Sequence, residues 1–271
     1  MTTAAPAPAQ PEREAIPWGA VVGAGLVAGF TSGLFGVGGG VVVVPALTLL
    51  ARFPPKLATG TSLTAIVPIS LAGAVGYATA GEVDLAAAAL VAIGALVGAV
   101  IGTRWLASIS APVLQLAFAA LMVVTAVRLA VGGEADGAGR AELDLGAIVA
   151  LVGLGLTAGI LAGLFGVGGG IVIVPALTLG LGLPLVLAKG TSLVVIIPTA
   201  IVGTLRNRRS GLTALRPGVV VGLAGVVSAV GASQLSLDLD PTLSALLFAA
   251  LLVIVAARLA VTARPADDDD T

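Results

Sequence analysis

The segment GFTSGLFGVGGGVVVVPAL at residues 29–47 returns as GILAGLFGVGGGIVIVPAL at residues 159–177. Each copy lies in a long uncharged run, Ala15–Ala51 and Leu145–Ala188. As single straight helices these runs would be about 55 Å and about 66 Å long at 1.5 Å per residue. A bilayer core is about 30 Å thick, so each run must cross twice or enter and turn back. Only Gly36-Val37-Gly38-Gly39-Gly40 and Gly166–Gly170 are dense enough in glycine to reverse the chain. The sequence therefore predicts a broken, turn-back helix pair in each copy, with new helices starting near Gly39–Val41 and Gly169–Ile171.

The rest of the chain agrees with a membrane setting. Of its 271 residues 58% are hydrophobic and 10% charged, against about 25% charged in soluble domains. The apolar runs lack the alternation of outer-membrane strands, so the expected fold class is an all-α polytopic membrane protein. There is no Cys and no His, which removes disulfides, thiol chemistry and imidazole metal sites. No carboxylate pair or other catalytic constellation is visible, so neither an enzyme nor a cofactor is expected. No basic, aromatic-interleaved patch suggests nucleic acid. Met1–Glu14 lacks the basic flank of a secretory signal.

The duplication extends through the whole chain at a constant offset (159 − 29 = 130). Gly60-Thr61-Ser62-Leu63 falls on Gly190-Thr191-Ser192-Leu193, Pro45 on Pro175, Pro68 on Pro198, and Arg128 on Arg258. The predicted organisation is a polar tail at 1–16, repeat one at 17–131, a linker at 132–144, repeat two at 145–262 and an acidic tail at 263–271. Beyond the turn-back pair, repeat one offers three spans, near Thr61–Ala80, Leu85–Thr103 and Val113–Val127. An odd number of crossings after a turn-back would invert the second repeat; a single crossing of the long run would leave the two parallel. The inverted arrangement places ten of the 13 Lys and Arg on one side, as cytoplasmic loops prefer, and the parallel one nine. It also gathers acids such as Glu82, Asp84, Asp238 and Asp240 on the opposite side. Inverted repeats, with both termini cytoplasmic in a cell membrane, are the expectation.

Duplicated membrane units with interrupted helices commonly place a transport site between the halves. A half-helix starting at depth exposes unpaired N–H groups at its positive end, where an anion is attracted. The expected substrate-binding residues are therefore Gly36, Gly38, Gly39 and Gly40 with Gly166, Gly168, Gly169 and Gly170. Thr59, Thr61, Ser62, Thr191 and Ser192 supply hydroxyls, read either as donors to an oxyanion or as helix N-caps. Lys189, facing Thr59 across the repeat, either balances the anion's charge or snorkels to the interface. Pro45 and Pro175 are structural breaks that leave a carbonyl unpaired one turn earlier. Gly25-x₃-Gly29-x₃-Gly33, its copy, and Gly94-x₃-Gly98-x₃-Gly102 read as packing ridges. No metal site is expected. The expected partners are a small anion and membrane lipid; the coupling ion (proton or sodium) and a homo-oligomer are left open.

The doubled G-x₂-G-x-G-G-G-x₄-P pattern, with TGTSL and KGTSL, resembles the sulfite exporter TauE/SafE family of permeases, grouped with toluene-sulfonate uptake permeases. The resemblance runs from about Trp18 to Ala260. It implies secondary transport of sulfur-containing anions such as sulfite, organosulfonates or sulfoacetate. The half-helix chemistry by itself also admits a carboxylate, and an anion channel is the rival from another class.

Overall fold

The computed structural model describes residues 17–105, 116, 119–120, 122–124, 126–127 and 144–262. The two predicted tails, the linker up to residue 143 and most of the span expected at Val113–Val127 lie outside these residues. The described part is helical, with helices α1 Trp18–Phe35, α2 Gly40–Leu49, α3 Pro55–Thr79, α4 Leu85–Trp105, α5 Leu145–Phe165, α6 Gly170–Leu181, α7 Leu185–Arg209, α8 Leu215–Asp238 and α9 Pro241–Thr262. Seven are long and apolar enough to cross a membrane; α2 and α6 are not among them. At 1.5 Å per residue α2 reaches about 15 Å, half the hydrocarbon thickness.

The glycines break both long runs where the sequence places the break. α1 ends because Gly36 turns left-handed (φ 71°) and its N–H closes on the Ser32 carbonyl. Gly38 and Gly39 follow at φ 79° and 75°, and α2 begins at Gly40. The copy repeats this at Gly166, Gly168 and Gly169 with φ 68°, 85° and 83°. A side chain would be strained at each of the six positions. The chain then folds back, so that Gly39 lies against Ala28 and Gly169 against Ala158. Val43 and Leu47 of α2 pack in one core with Val21 and Ala28 of α1.

One boundary differs from the sequence expectation. The third helix starts at Pro55, not near Thr61, because Pro54 is extended (ψ 140°) and Pro55 is preorganised for the first helical position. Pro184 repeats this geometry before α7.

The glycine ridges are packing surfaces, as expected. Gly25, Gly29 and Gly33 face Val221, Gly225 and Ala229 in order, so α1 and α8 run parallel. Gly94 and Gly98 of α4 face Val152 and Leu156 of α5 in the same sense. A Cβ at any of these positions would strike the opposing carbonyl, which is the close approach small residues permit between membrane helices. The first helix of each repeat is therefore held by the fourth helix of the other. α3 and α7, which are counterparts, cross with Gly73 beside Leu193 and Gly203 beside Leu63. They run antiparallel.

Candidate functional site

The two turns are pressed together at the centre of the described structure. A Cβ on Gly40 would lie 2.6 Å from the Gly166 carbonyl oxygen and from Val167 Cα. A Cβ on Gly170 would lie 2.7 Å from the Gly36 oxygen and Val37 Cα. Ile66 and its counterpart Ile196 both border Gly38 and Gly168. The sequence reading assigned these glycines to a ligand; much of their number is accounted for by turn-on-turn packing, which no local pattern announces.

The hydroxyls of TGTS and KGTS join the halves. Ser62 Oγ donates to the Gly166 carbonyl at 2.6 Å, and Ser192 Oγ to the Gly36 carbonyl at 2.9 Å. Thr61 Oγ1 accepts from the Ala214 N–H at 3.0 Å, and Thr191 Oγ1 from the Asp84 N–H at 2.9 Å. These residues lie inside α3 and α7, so they are not the N-caps of their own helices. Thr61 and Thr191 instead satisfy orphan N–H groups at the starts of α8 and α4, a capping role served across the repeat. Thr59 touches Gly166, through its carbonyl and methyl, at the place where Lys189 touches Gly36.

Lys189 does not snorkel. It is fully buried and its Nζ donates to Ser236 Oγ at 3.1 Å and Ser244 Oγ at 2.6 Å. The ammonium also lies 5.9 Å from the centroid of the Phe35 ring, which stacks on Phe248. The snorkel expectation fails because the hydroxyls and the ring supply a closer polar environment than the membrane surface.

A cavity of about 350 Å³ opens beside α2. Its lining is largely apolar: Val44, Pro45 and Leu49 from α2, Phe165 and Val167 from the second turn, and Val255 from α9. Thr48 and Arg258 add polarity, and Gly40 and Val41, the first residues of α2, complete the wall. Among the described residues the N–H groups of Gly40 and Val41 find no acceptor. Pro45 donates nothing to the Val41 carbonyl, which therefore also faces this region without its usual partner. Of the expected site residues, Gly40 and Pro45 reach the cavity; the remaining glycines and Thr61, Ser62, Thr191 and Ser192 are buried in the contact between halves, and Thr59 is half-buried. Arg258 was legible in the sequence only as the last turn of the repeat.

Five of the lining residues have sequence-identical mates in the other repeat that are packed shut. Val44, Pro45, Thr48, Phe165 and Val167 are all half-buried, whereas their mates Val174, Pro175, Thr178, Phe35 and Val37 are all buried. Ile171 to Val174 and Leu177 of α6 sit in a core with Ala87, Val91, Met122 and Ala126. Among the described residues, Val41, Val42 and Val44 to Ala46 of α2 are only half-buried.

Fold and site together define a polytopic helical membrane protein of transporter type. The family model described as Sulfite exporter TauE/SafE matches residues 1–129 and 151–270, and the chain belongs to that family. It is 29% identical over 209 residues to the probable membrane transporter protein YunE of Bacillus subtilis, covering 69% of this chain and 77% of that one. It is 30% identical over 193 residues to a probable membrane transporter protein of Xylella fastidiosa, covering 70% and 74%. YdhB of Bacillus subtilis, also a probable membrane transporter protein, is 32% identical over 179 residues, covering 65% and 72%. No solved structure matches the chain.

Proposed function

We propose that this membrane transporter moves small sulfur-containing anions, such as sulfite or organosulfonates, by alternating access between two inverted repeats. The carrying observation is the pair of matched surfaces: one lines an open cavity beside α2, and its mate beside α6 is closed. Exchanging the two environments would move an opening from one side of the glycine turns to the other. The antiparallel crossing of α3 and α7 supports the inversion. An anion in the α2 cavity meets Arg258 and the unpaired N–H groups of Gly40 and Val41, a positive helix end in an apolar wall. The other turn glycines, Ser62, Ser192, Thr59, Thr61 and Thr191 support the same site by holding the turns in register, and Lys189 supplies its charge on the closed α6 side. The sulfur specificity rests on the family's description. The Lys/Arg distribution supports cytoplasmic termini in a cell-membrane protein.

The test is counterflow in proteoliposomes loaded with sulfite, with isethionate, sulfoacetate and acetate as competitors. Saturable exchange blocked by sulfur anions and not by acetate is the expected result. Block by acetate alone would move the substrate to carboxylates, and non-saturating flux without counterflow would replace the carrier with a channel.

A further inference from the structure

Lys189 is a buried lysine that makes no ion pair among the described residues. Removing an ammonium from water without a counter-charge is expensive, and most of all within a membrane. Its surroundings also contain more donors than acceptors. The ammonium has three N–H groups; Ser236 and Ser244 accept two of them. Ser236 spends its own proton on the Leu34 carbonyl at 3.0 Å. Among the described residues, the third N–H of a Lys189 ammonium and the hydroxyl proton of Ser244 have no acceptor. Two unspent donors, one of them cationic, in an enclosed cluster whose side chains are at most 2% exposed form a receptor for negative charge.

The cluster is also confined to one repeat. At the offset of 130, Lys189, Ser236 and Ser244 correspond to Thr59, Leu106 and Leu114. All three polar members are replaced in the other repeat, so Lys189 and both its hydroxyls exist in one half only. Lys189 reaches them past Phe35, the mate of the cavity-lining Phe165.

We propose that Lys189, Ser236 and Ser244 form a second, asymmetric anion site, which takes the transported oxyanion when the α6 side opens. The inference rests on the transporter reading above for the identity of that anion. Binding places one substrate oxygen on the free Lys189 N–H and another on the Ser244 hydroxyl, donors of the charge-assisted kind that oxyanions select. In the structure described, the site is closed by α9, which carries Ser244 and Phe248.

The experiment is thermal unfolding of the full-length purified protein in detergent and gluconate buffer, titrated with sodium sulfite, isethionate or chloride. The midpoint should rise with sulfite or isethionate. The half-effect concentration should increase at least about fivefold in Ser244→Ala, the loss of one hydrogen bond to a charged group. In an Arg258→Gln background, which removes the contribution of the α2 cavity, the rise should vanish in Lys189→Met. Should Lys189→Met fail to fold, Ser244→Leu, which installs the residue of the other repeat, replaces it with the same expected loss. Wild-type affinity in these variants, or an equal response to chloride, overturns the proposal. Counterflow without Lys189-dependent binding removes this site and leaves the transporter standing. Lys189-dependent sulfite binding without counterflow does the reverse.

Discussion

Replacing Gly40 with Ala sets two effects of opposite sign against each other. Gly40 is the first residue of α2, and Ala there is favoured by helix propensity by up to about 1 kcal/mol. Against this, the new Cβ would stand 2.6 Å from the Gly166 oxygen and from Val167 Cα, and 2.8 Å from Ile66 Cδ1. The first two are backbone atoms and cannot rotate away. Ordinary contact begins near 3.4 Å, so the turns must separate by about 0.8 Å (3.4 − 2.6). Overpacking of this kind costs about 1–3 kcal/mol, and against rigid backbone the upper part of that range applies. The net expectation is a loss of about 1–2 kcal/mol, or roughly 2–8 °C in the unfolding midpoint at about 2–4 °C per kcal/mol. Gly170→Ala, at 2.7 Å from the Gly36 oxygen and Val37 Cα, should behave alike. The double variant should lose less than the sum, because one displacement relieves both contacts. Gly153→Ala and Gly231→Ala are the controls: a Cβ there meets nothing within 4 Å, and stability should hold or rise. The assay is thermal unfolding in detergent paired with counterflow. If Gly40→Ala unfolds and transports like Gly153→Ala, the turns do not interlock and the site as described is wrong.

Three further outcomes follow from the same contacts. Ser62→Ala leaves the Gly166 carbonyl without its donor, and Ser192→Ala leaves that of Gly36; each should lower stability by about 1–3 kcal/mol, read as a shift in midpoint. Thr191→Val is nearly isosteric and should cost about 1 kcal/mol by removing the acceptor of the Asp84 N–H, whereas Thr191→Ser should restore it. Arg258→Gln should raise the KM for anion flux several-fold with little change in maximal rate, and wild-type flux should weaken with added salt as exposed charges are screened; an unchanged KM would take Arg258 out of the site.

Much of the fold can be read from two lengths and one motif. The uncharged runs are too long for one crossing, and only GVGGG can break them, so the half-helices at Gly40 and Gly170 were legible to the residue. The ridges Gly25–Gly33 and Gly94–Gly102 were legible as packing because four-residue spacing of small residues has one common use. The start of α3 was misplaced because the span was drawn from Thr61 without weighing Pro55, and proline at the first helical position begins a helix. The hydroxyls illustrate a different failure. Thr61 and Ser62 carry the composition of a cap or a site, and which one they serve depends on Ala214 and Gly166, more than a hundred residues away. Lys189 has the same character, since Ser236 and Ser244 gain meaning only once α8 and α9 bring them to it.

On the alternating-access reading, duplication also solves an energetic problem. A carrier needs its two facing states within a few kcal/mol of each other, because a ligand shifts an equilibrium only by its differential affinity. Opening α6 while closing α2 exposes Val174, Pro175, Thr178, Phe35 and Val37 and buries Val44, Pro45, Thr48, Phe165 and Val167. These are the same five residue types, so their transfer energies cancel to first order. What remains is contributed by positions where the repeats differ. Among these is the exchange of Thr59, Leu106 and Leu114 for Lys189, Ser236 and Ser244. A buried ammonium held by two hydroxyls and an aromatic face is the least symmetric feature of the protein, and it lies on the closed side. The balance between the two states is therefore biased there, where an anion arriving on the α6 side would change the charge.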